Sequence, residues 1–225
     1  MDHPSWIFSK TSYMRGRQCL KMLYLFHHKR ELIPTLPKKQ DAVLKKGFGF
    51  EKQVQKNLFP KGFNMRSLLG NAYSEYHPHT QRILAAEKQV TLFEAGIISQ
   101  QVLVLVDVLR QNEDGTLDIF EIKNSFHLKS NFLWDAGLQY FVCKSYLGPK
   151  LNGFNLVLKG HNQPFKVIDI TPQLEKRLAE VQQDLELLAS VIKEDKEPDV
   201  AMGKHCSVPY SCGFIGYCKG LKTKK

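Results

Sequence analysis

Residues 102–109 read Val-Leu-Val-Leu-Val-Asp-Val-Leu, and this run constrains the fold more than any other part of the chain. Its β-branched and apolar residues specify a strand with both faces apolar, the pattern of a buried sheet. Gln-Asn-Glu-Asp-Gly-Thr follows at 111–116, and Asp-Gly readily adopts the positive φ of a hairpin turn. Residues 117–123, Leu-Asp-Ile-Phe-Glu-Ile-Lys, then return as the partner strand. Alternation puts Asp107 on the face of Leu103, Leu105 and Leu109, and groups Ile119, Glu121 and Lys123 on one face. Charges buried in a sheet are expensive unless paired or bound to a metal. Asp107 and Glu121 lie about equally far from the turn near Asp114, so they are expected nearly opposite, with Cβ atoms roughly 4.5–5.5 Å apart. A divalent cation relieves the repulsion of two such carboxylates, and magnesium is usually held by one or two carboxylates plus phosphate. Lys123 points the same way, toward phosphate or a bound water. The plainer alternative is a solvated hairpin face with a cross-strand Glu–Lys pair.

The rest of the chain supplies helices and further strands. Residues 9–28 are expected as one helix capped by Ser9, with Tyr13, Cys19, Leu20 and Leu23 on its apolar side. Pro34 and Pro37 disfavour helix before them, so 32–37 is expected to be extended. A helix starting after Asp41 places Val43, Gly47, Phe50, Val54 and Leu58 at helical spacing, and Pro60 follows it. Further helices are expected over 78–88, 131–147 and 171–192. The last has Thr171 as its cap, Pro172 in its first turn and a stripe of Leu174, Leu178, Val181, Leu185, Leu188 and Ile192. Strands are expected over 90–93, 97–99 and 153–158, and the chain past Pro198 is expected to be irregular. With no repeat and no linker, the 225 residues read as one mixed α/β (α+β) domain.

Lys and Arg number 32 against 22 Asp and Glu, a formal charge of +10. Such a surplus points to an anionic partner, of which nucleic acid is the usual one. No apolar run reaches the roughly 18–20 residues a membrane span needs. The start, Met-Asp-His-Pro-Ser-Trp, has neither a positive leader region nor an apolar one. Five cysteines, an odd number with three near the C-terminus, do not suit a secreted disulfide framework. A cytoplasmic protein with no membrane partner is expected. Cys143 lies in an apolar helix and reads as core. Cys206, Cys212 and Cys218 are not spaced like the paired cysteines of a zinc ribbon. Three thiolates leave a four-cysteine site one short, and Cys19 is the candidate fourth. Structural zinc with His205 as a ligand, and free thiols, are the alternatives.

Asp107, a hairpin turn, then Glu121-Ile122-Lys123 resembles motifs II and III of the PD-(D/E)XK nuclease superfamily, with Val106 where its name has proline. The runs Leu92-Phe93-Glu94-Ala95, Val106-Asp107-Val108-Leu109 and Phe120-Glu121-Ile122-Lys123 resemble its RecB-like branch more narrowly. In that branch an upstream helix supplies a further ligand a few residues after a glycine. Gly47-Phe-Gly-Phe-Glu51 has that form, and Phe59-Pro60-Lys61-Gly62 resembles the branch's next segment. Gln139, four residues after Asp135, matches the glutamine of the helix that comes after motif III. The tyrosine often found four residues further on is Cys143 here, with Tyr140 and Tyr146 nearby. One N-terminal cysteine joined to a C-terminal trio resembles the iron–sulfur staple of AddB helicase–nuclease subunits and CRISPR-associated iron–sulfur exonucleases.

The resemblance implies a restriction-endonuclease-like central mixed sheet flanked by helices. It implies a 4Fe-4S cluster on Cys19, Cys206, Cys212 and Cys218 that clamps segment 199–218 to the N-terminal helix, leaving 219–225 as a basic tail. It further implies Mg²⁺ or Mn²⁺ held by Glu51, Asp107 and Glu121, with the Ile122 carbonyl as an extra ligand and Lys123 and Gln139 completing the catalytic set. The expected activity is metal-dependent hydrolysis of single-stranded DNA or DNA ends, with helicase or CRISPR adaptation proteins as partners. A catalytically silent iron–sulfur DNA-binding scaffold and an RNA-directed nuclease are the competing readings.

Overall fold

The structure is a computed structural model that describes residues 6–32 and 38–222, with side chains described except at 38–46 and 221–222. A short strand, Phe8–Ser9 (β1), leads into the helix Lys10–Gln18 (α1). The Ser9 hydroxyl accepts the Ser12 N–H while the Ser12 hydroxyl accepts the Ser9 N–H, so two donors at the helix start are satisfied reciprocally. The one helix expected over 9–28 is two. Cys19 is extended, at φ −165° and ψ 120°, and a new helix, Leu20–His28 (α2), follows it. Gln18 supplies a reason for the break: its amide donates to the carbonyls of His205 at 2.7 Å and Tyr210 at 2.6 Å. These bonds moor the end of α1 to the C-terminal segment. Residues 33–37 of the stretch expected to be extended lie outside the described residues.

The helix Lys38–Leu58 (α3) begins ahead of Asp41. Phe50 and Val54 are buried and Leu58 is exposed, and the Val43 side chain lies outside the described set. Phe63–Asn64 (β2), Met65–Leu69 (α4) and Tyr73–Ala86 (α5) come next. α5 starts earlier than expected and carries Pro78 inside it. Pro78 cannot donate to the helix, but the first turn buries Tyr76 completely and sends its hydroxyl to the Gly70 carbonyl at 2.7 Å. The two strands expected over 90–99 are one, Thr91–Ser99 (β3), carried through Glu94. Gln100 and Gln101, both at positive φ, turn the chain into Val102–Gln111 (β4). Gly115 at φ 79° turns it again into Leu117–Ile122 (β5), as the Asp-Gly pair requires.

Ser130–Leu147 (α6), Leu151–Lys159 (β6) and Phe165–Asp169 (β7) complete the sheet region. β7 has no counterpart in the sequence expectations. The helix expected over 171–192 is two, Thr171–Glu175 (α7) and Leu178–Lys193 (α8). Ile170, not Thr171, stands at the cap. The Thr171 hydroxyl instead donates to Asp169 at 2.6 Å and accepts the Phe154 N–H at 2.8 Å. Past Pro198 the chain is irregular until Ile215–Lys222 (α9), apart from one turn at Lys204–Cys206.

The strands form one mixed sheet in the order β2-β3-β4-β5-β6-β7, with β1 also on β4. The expected mixed sheet flanked by helices is therefore what the chain forms. β3 runs along one edge of β4, so β5 and β1 must share the other. β5 takes residues 108–111 and β1 takes 102–103. Between them the edge of β4 is forked open.

Alternate residues of β5 and β6 face opposite sides. Leu117, Ile119, Phe154, Leu156 and Leu158 join the main core. Phe120, Ile122 and Val157 join a smaller cluster closed by Phe50 and Val54 of α3. Each such buried side chain contributes roughly 1.5–3 kcal/mol, and this second cluster fixes α3, with Glu51, against the sheet. A third cluster of Met22, Tyr24, Leu25, Val191 and Phe214 docks the C-terminal segment on α2 and α8. Among the described residues no helix is long and apolar enough to cross a membrane.

Candidate active site at the sheet fork

The β4–β5 ladder runs from Gln111 opposite Leu117 to Val108 opposite Phe120. Asp107 and Glu121 are next in register, as the hairpin count requires, but pairing stops before them. In its place the Ile122 N–H donates to Asp107 Oδ2 at 2.7 Å. The β3 side changes at the same level. Its pairing with β4 passes from Phe93–Val108 to Ala95–Val106, and Glu94 between them has φ 57°. A non-glycine residue there stores roughly 1–3 kcal/mol of strain, and such residues concentrate at functional sites. Arg66 holds the Glu94 carboxylate at 3.1 Å.

Glu121 is buried, its side chain 1% exposed, and Lys123 Nζ donates to its Oε1 at 2.6 Å. Lys123 also pairs with Asp135 on α6. Gln139, fully buried one turn on, donates to Glu121 Oε2 at 2.8 Å and to Asp135 Oδ1 at 3.1 Å. Gln139 therefore orients the two carboxylates that grip Lys123. Its own Oε1 is buried without a partner. Lys10, the first residue of α1, lies 3.2 Å from Glu121 Oε1 and 3.7 Å from Asp135 Oδ1. Glu51 is half-buried on α3, and its Oε1 accepts the Gln55 amide at 2.9 Å.

Burial pushes the Asp107 carboxyl well above the usual range, and nearby Glu121 pushes it further against the pull of Lys10 and Lys123. Glu51 is also raised, by burial and then by Glu94 and Glu121. Asp135 goes the other way. Burial would raise it, but Lys10 and Lys123 more than offset that and hold it down at about 2. Burial likewise works against both ammonium groups, yet the carboxylates of Asp135 and Glu121 raise Lys10 and Lys123. The site thus divides into a closed network of Glu121, Asp135 and two lysines, and a pair of under-compensated carboxyls, Asp107 and Glu51.

Lys10, Glu94 and Asp135 are members that the sequence reading missed. Lys10 left a signal: a cation opening a helix whose first turn has no acid sits against the positive end of the helix dipole. Tyr140 bonds Glu175, and Tyr146 accepts the Gln81 amide at 2.6 Å, so both hydroxyls are engaged outside the site.

Cys19, Cys206, Cys212 and Cys218 line one small cavity together with Met22, Leu25 and Phe214, and His205 is also in its wall. None of the four is in a disulfide. Burial raises Cys212, opposed by the Phe214 N–H at 3.4 Å from its sulfur and reinforced by Cys19, Cys218 and Cys206. Around the cavity Glu197 ties Lys21, at 3.5 Å, and Lys29, at 3.2 Å, to the Tyr217 hydroxyl at 2.7 Å. Cys143 is buried in the core. Among the described residues no group of three or more His, Cys, Asp or Glu side chains is arranged to hold a metal ion.

No family model matches the chain, and no curated protein does. Among solved structures, the crystal structure of SSO0001 is 15% identical and is matched over 98% of this chain and 88% of that chain, with a TM-score of 0.39. That similarity is too low to carry an argument.

Proposed function

We propose that the fork is the active site of a metal-dependent deoxyribonuclease. The observation that carries this reading is the convergence of Asp107, Glu121, Lys123 and Gln139 on one break in the sheet, with Glu51 brought beside them by a separate helix. A purely structural ion network needs no interrupted ladder, no strained Glu94 and no carboxyls raised by burial at its edge.

The donor set fits a divalent cation of the Mg²⁺ or Mn²⁺ kind. Asp107 and Glu51 are carboxyls whose ionisation a cation favours, and the Gln139 oxygen is a buried acceptor without a partner. With no closed cage of side chains among the described residues, the fit is to an ion held by Asp107 and Glu121 near Glu51, completed by water and substrate phosphate. Such an ion supplies an acidified water and neutralises charge on the phosphate. Lys123, whose ammonium is held by Glu121 and Asp135, is placed to screen developing charge and to orient or help deprotonate the attacking water. Gln139 fixes the rotamers of Glu121 and Asp135, and the Ile122 N–H anchors Asp107.

The four thiols support a 4Fe-4S cluster that closes the chain's ends on each other. Four cysteines lining one cavity are an ordinary ligand set for such a cluster, and structural zinc on the same residues is the competing occupant. Iron and sulfide in anaerobically purified protein test this, and a colourless, zinc-loaded wild type refutes it.

The decisive assay is cleavage of end-labelled single-stranded DNA with Mn²⁺ or Mg²⁺, beside an RNA strand of the same sequence. Glu121→Gln and Lys123→Ala are expected to lose about 10²–10³-fold in rate or more. Equal cleavage by all three proteins would refute the site. The two lysines that close the network on Glu121 favour a second reading, a silent binding module. Binding of DNA without cleavage in either metal would establish it.

A further inference from the structure

β5 and β6 are parallel neighbours, so the loops that leave their C-terminal ends emerge side by side. The Lys159 N–H donates to the Ser125 carbonyl at 2.9 Å and stitches the two together. Phe126, 45% exposed, stacks on His161 of the second loop with ring centroids 5.0 Å apart and planes 26° from parallel. The Lys159 ammonium lies 5.3 Å from the Phe126 centroid and 5.9 Å from that of Phe50, the residue before Glu51. Nearer the fork, Phe132 has the ammonium groups of Lys123 and Lys129 each 5.6 Å from its centroid. Rings and ammonium groups are therefore interleaved at the C-terminal ends of β5 and β6 and the start of α6, beside Lys123.

An exposed phenylalanine stacked on an exposed histidine adds nothing to the core clusters. A strip of rings interleaved with cations matches the chemistry of unstacked bases joined by phosphates, because every base has a π-face and every linkage an anion. A duplex keeps its base faces inside and offers such a strip only phosphates. We infer that the strip is a stacking platform for the unpaired bases of a single-stranded nucleic acid whose backbone passes Lys123. The inference deepens the nuclease reading, on which it rests for the place of the scissile phosphate but not for binding.

The test is fluorescence anisotropy with full-length protein in buffer free of divalent metal, so that nothing is cut. Three probes are compared: a labelled single strand, the same strand carrying abasic sites, and a blunt duplex. Phe126→Ala is expected to weaken the intact strand by about 5- to 150-fold, with the abasic strand and the duplex unchanged and the melting temperature preserved. His161→Ala is expected to act in the same direction. Equal affinity of Phe126→Ala and wild type for the intact strand would overturn the platform, as would equal losses for the intact and abasic strands. A wild type that binds none of the probes would overturn it too. Ring-dependent binding by a protein that cleaves nothing would sink the nuclease reading and leave the platform standing. Cleavage by wild type with ring-independent binding would do the reverse.

Discussion

Lys10→Met removes one charge from the buried network and keeps most of the side-chain volume. Lys10 sits 3.2 Å from Glu121 and 3.7 Å from Asp135, with its own side chain 30% exposed. Removing one partner of a fully buried pair costs about 3–5 kcal/mol. Here Lys123 still pairs with both carboxylates, leaving one negative charge uncompensated, and the partial exposure of Lys10 screens the contact, so the expected loss is about 1–2 kcal/mol. At this chain length that corresponds to a fall in Tm of roughly 2–8 °C. The effect on a divalent cation has the opposite sign. If Glu121 holds the proposed ion, a usual ~2.1 Å bond added to the 3.2 Å Lys10 contact would put the ion within about 5.3 Å of Lys10 Nζ. Even at the dielectric of water, a double charge repels the ammonium there by about 1.6 kcal/mol. If Lys10 instead swings away, it loses the same contacts that the substitution removes. Either way the variant should bind Mn²⁺ about tenfold more tightly or better. Isothermal titration of metal-free protein measures this, and Glu121→Gln serves as the control that abolishes the binding. Unchanged or weaker Mn²⁺ binding by Lys10→Met would refute the idea that Lys10 competes for the metal's ligands.

Three other outcomes rest on local geometry. A Cβ added at Gly96 would stand 2.4 Å from Tyr76 Cβ and 3.0 Å from the Tyr76 carbonyl carbon, so Gly96→Ala should cost about 1–3 kcal/mol in urea unfolding; a neutral result means α5 retreats freely. Glu94 holds φ 57°, so Glu94→Gly should be more stable than Glu94→Ala by about 1–2 kcal/mol, and equal stabilities would show that the backbone there is unstrained. Asp118 is buried, but donors at 2.7 Å from Arg110, 3.0 Å from Asn112 and 2.8 Å from Asn152 outweigh that and hold its carboxyl below the ordinary value. A depressed carboxylate stabilises above its unfolded pKa of about 3.9 and loses that contribution as pH falls through the lower folded value. Asp118→Asn should therefore be less stable at neutral pH and lose stability less steeply in acid, and parallel acid limbs in urea titrations would contradict it.

The hairpin was legible because alternation and an Asp-Gly turn are local signals, and counting from the turn puts Asp107 level with Glu121 in that register. Counting does not reveal that the ladder ends at that level, because the break depends on β1 and β5 dividing one edge of β4. Lys10 lies 111 residues from Glu121, and only the folded chain brings them together. The same distance effect explains the helix expected over 9–28. Its apolar pattern runs through Cys19, but Gln18 is held by carbonyls of His205 and Tyr210, and no local rule accounts for a tether so far along the chain. That tether also joins the two candidate sites. α1 begins with Lys10 at the fork and ends with Gln18 on the segment that carries Cys206 and Cys212, where the Cys212 N–H donates to the Cys206 carbonyl at 2.9 Å. Tyr13, mid-helix, and Arg17, next to its end, pin α1 to Asp184 at 2.8 Å and 2.6 Å. One nine-residue helix thus carries both the Lys10 ammonium at the fork and the Gln18 tether to the cysteine segment, so a change that frees the cysteine segment from Gln18 removes a contact that anchors the same helix.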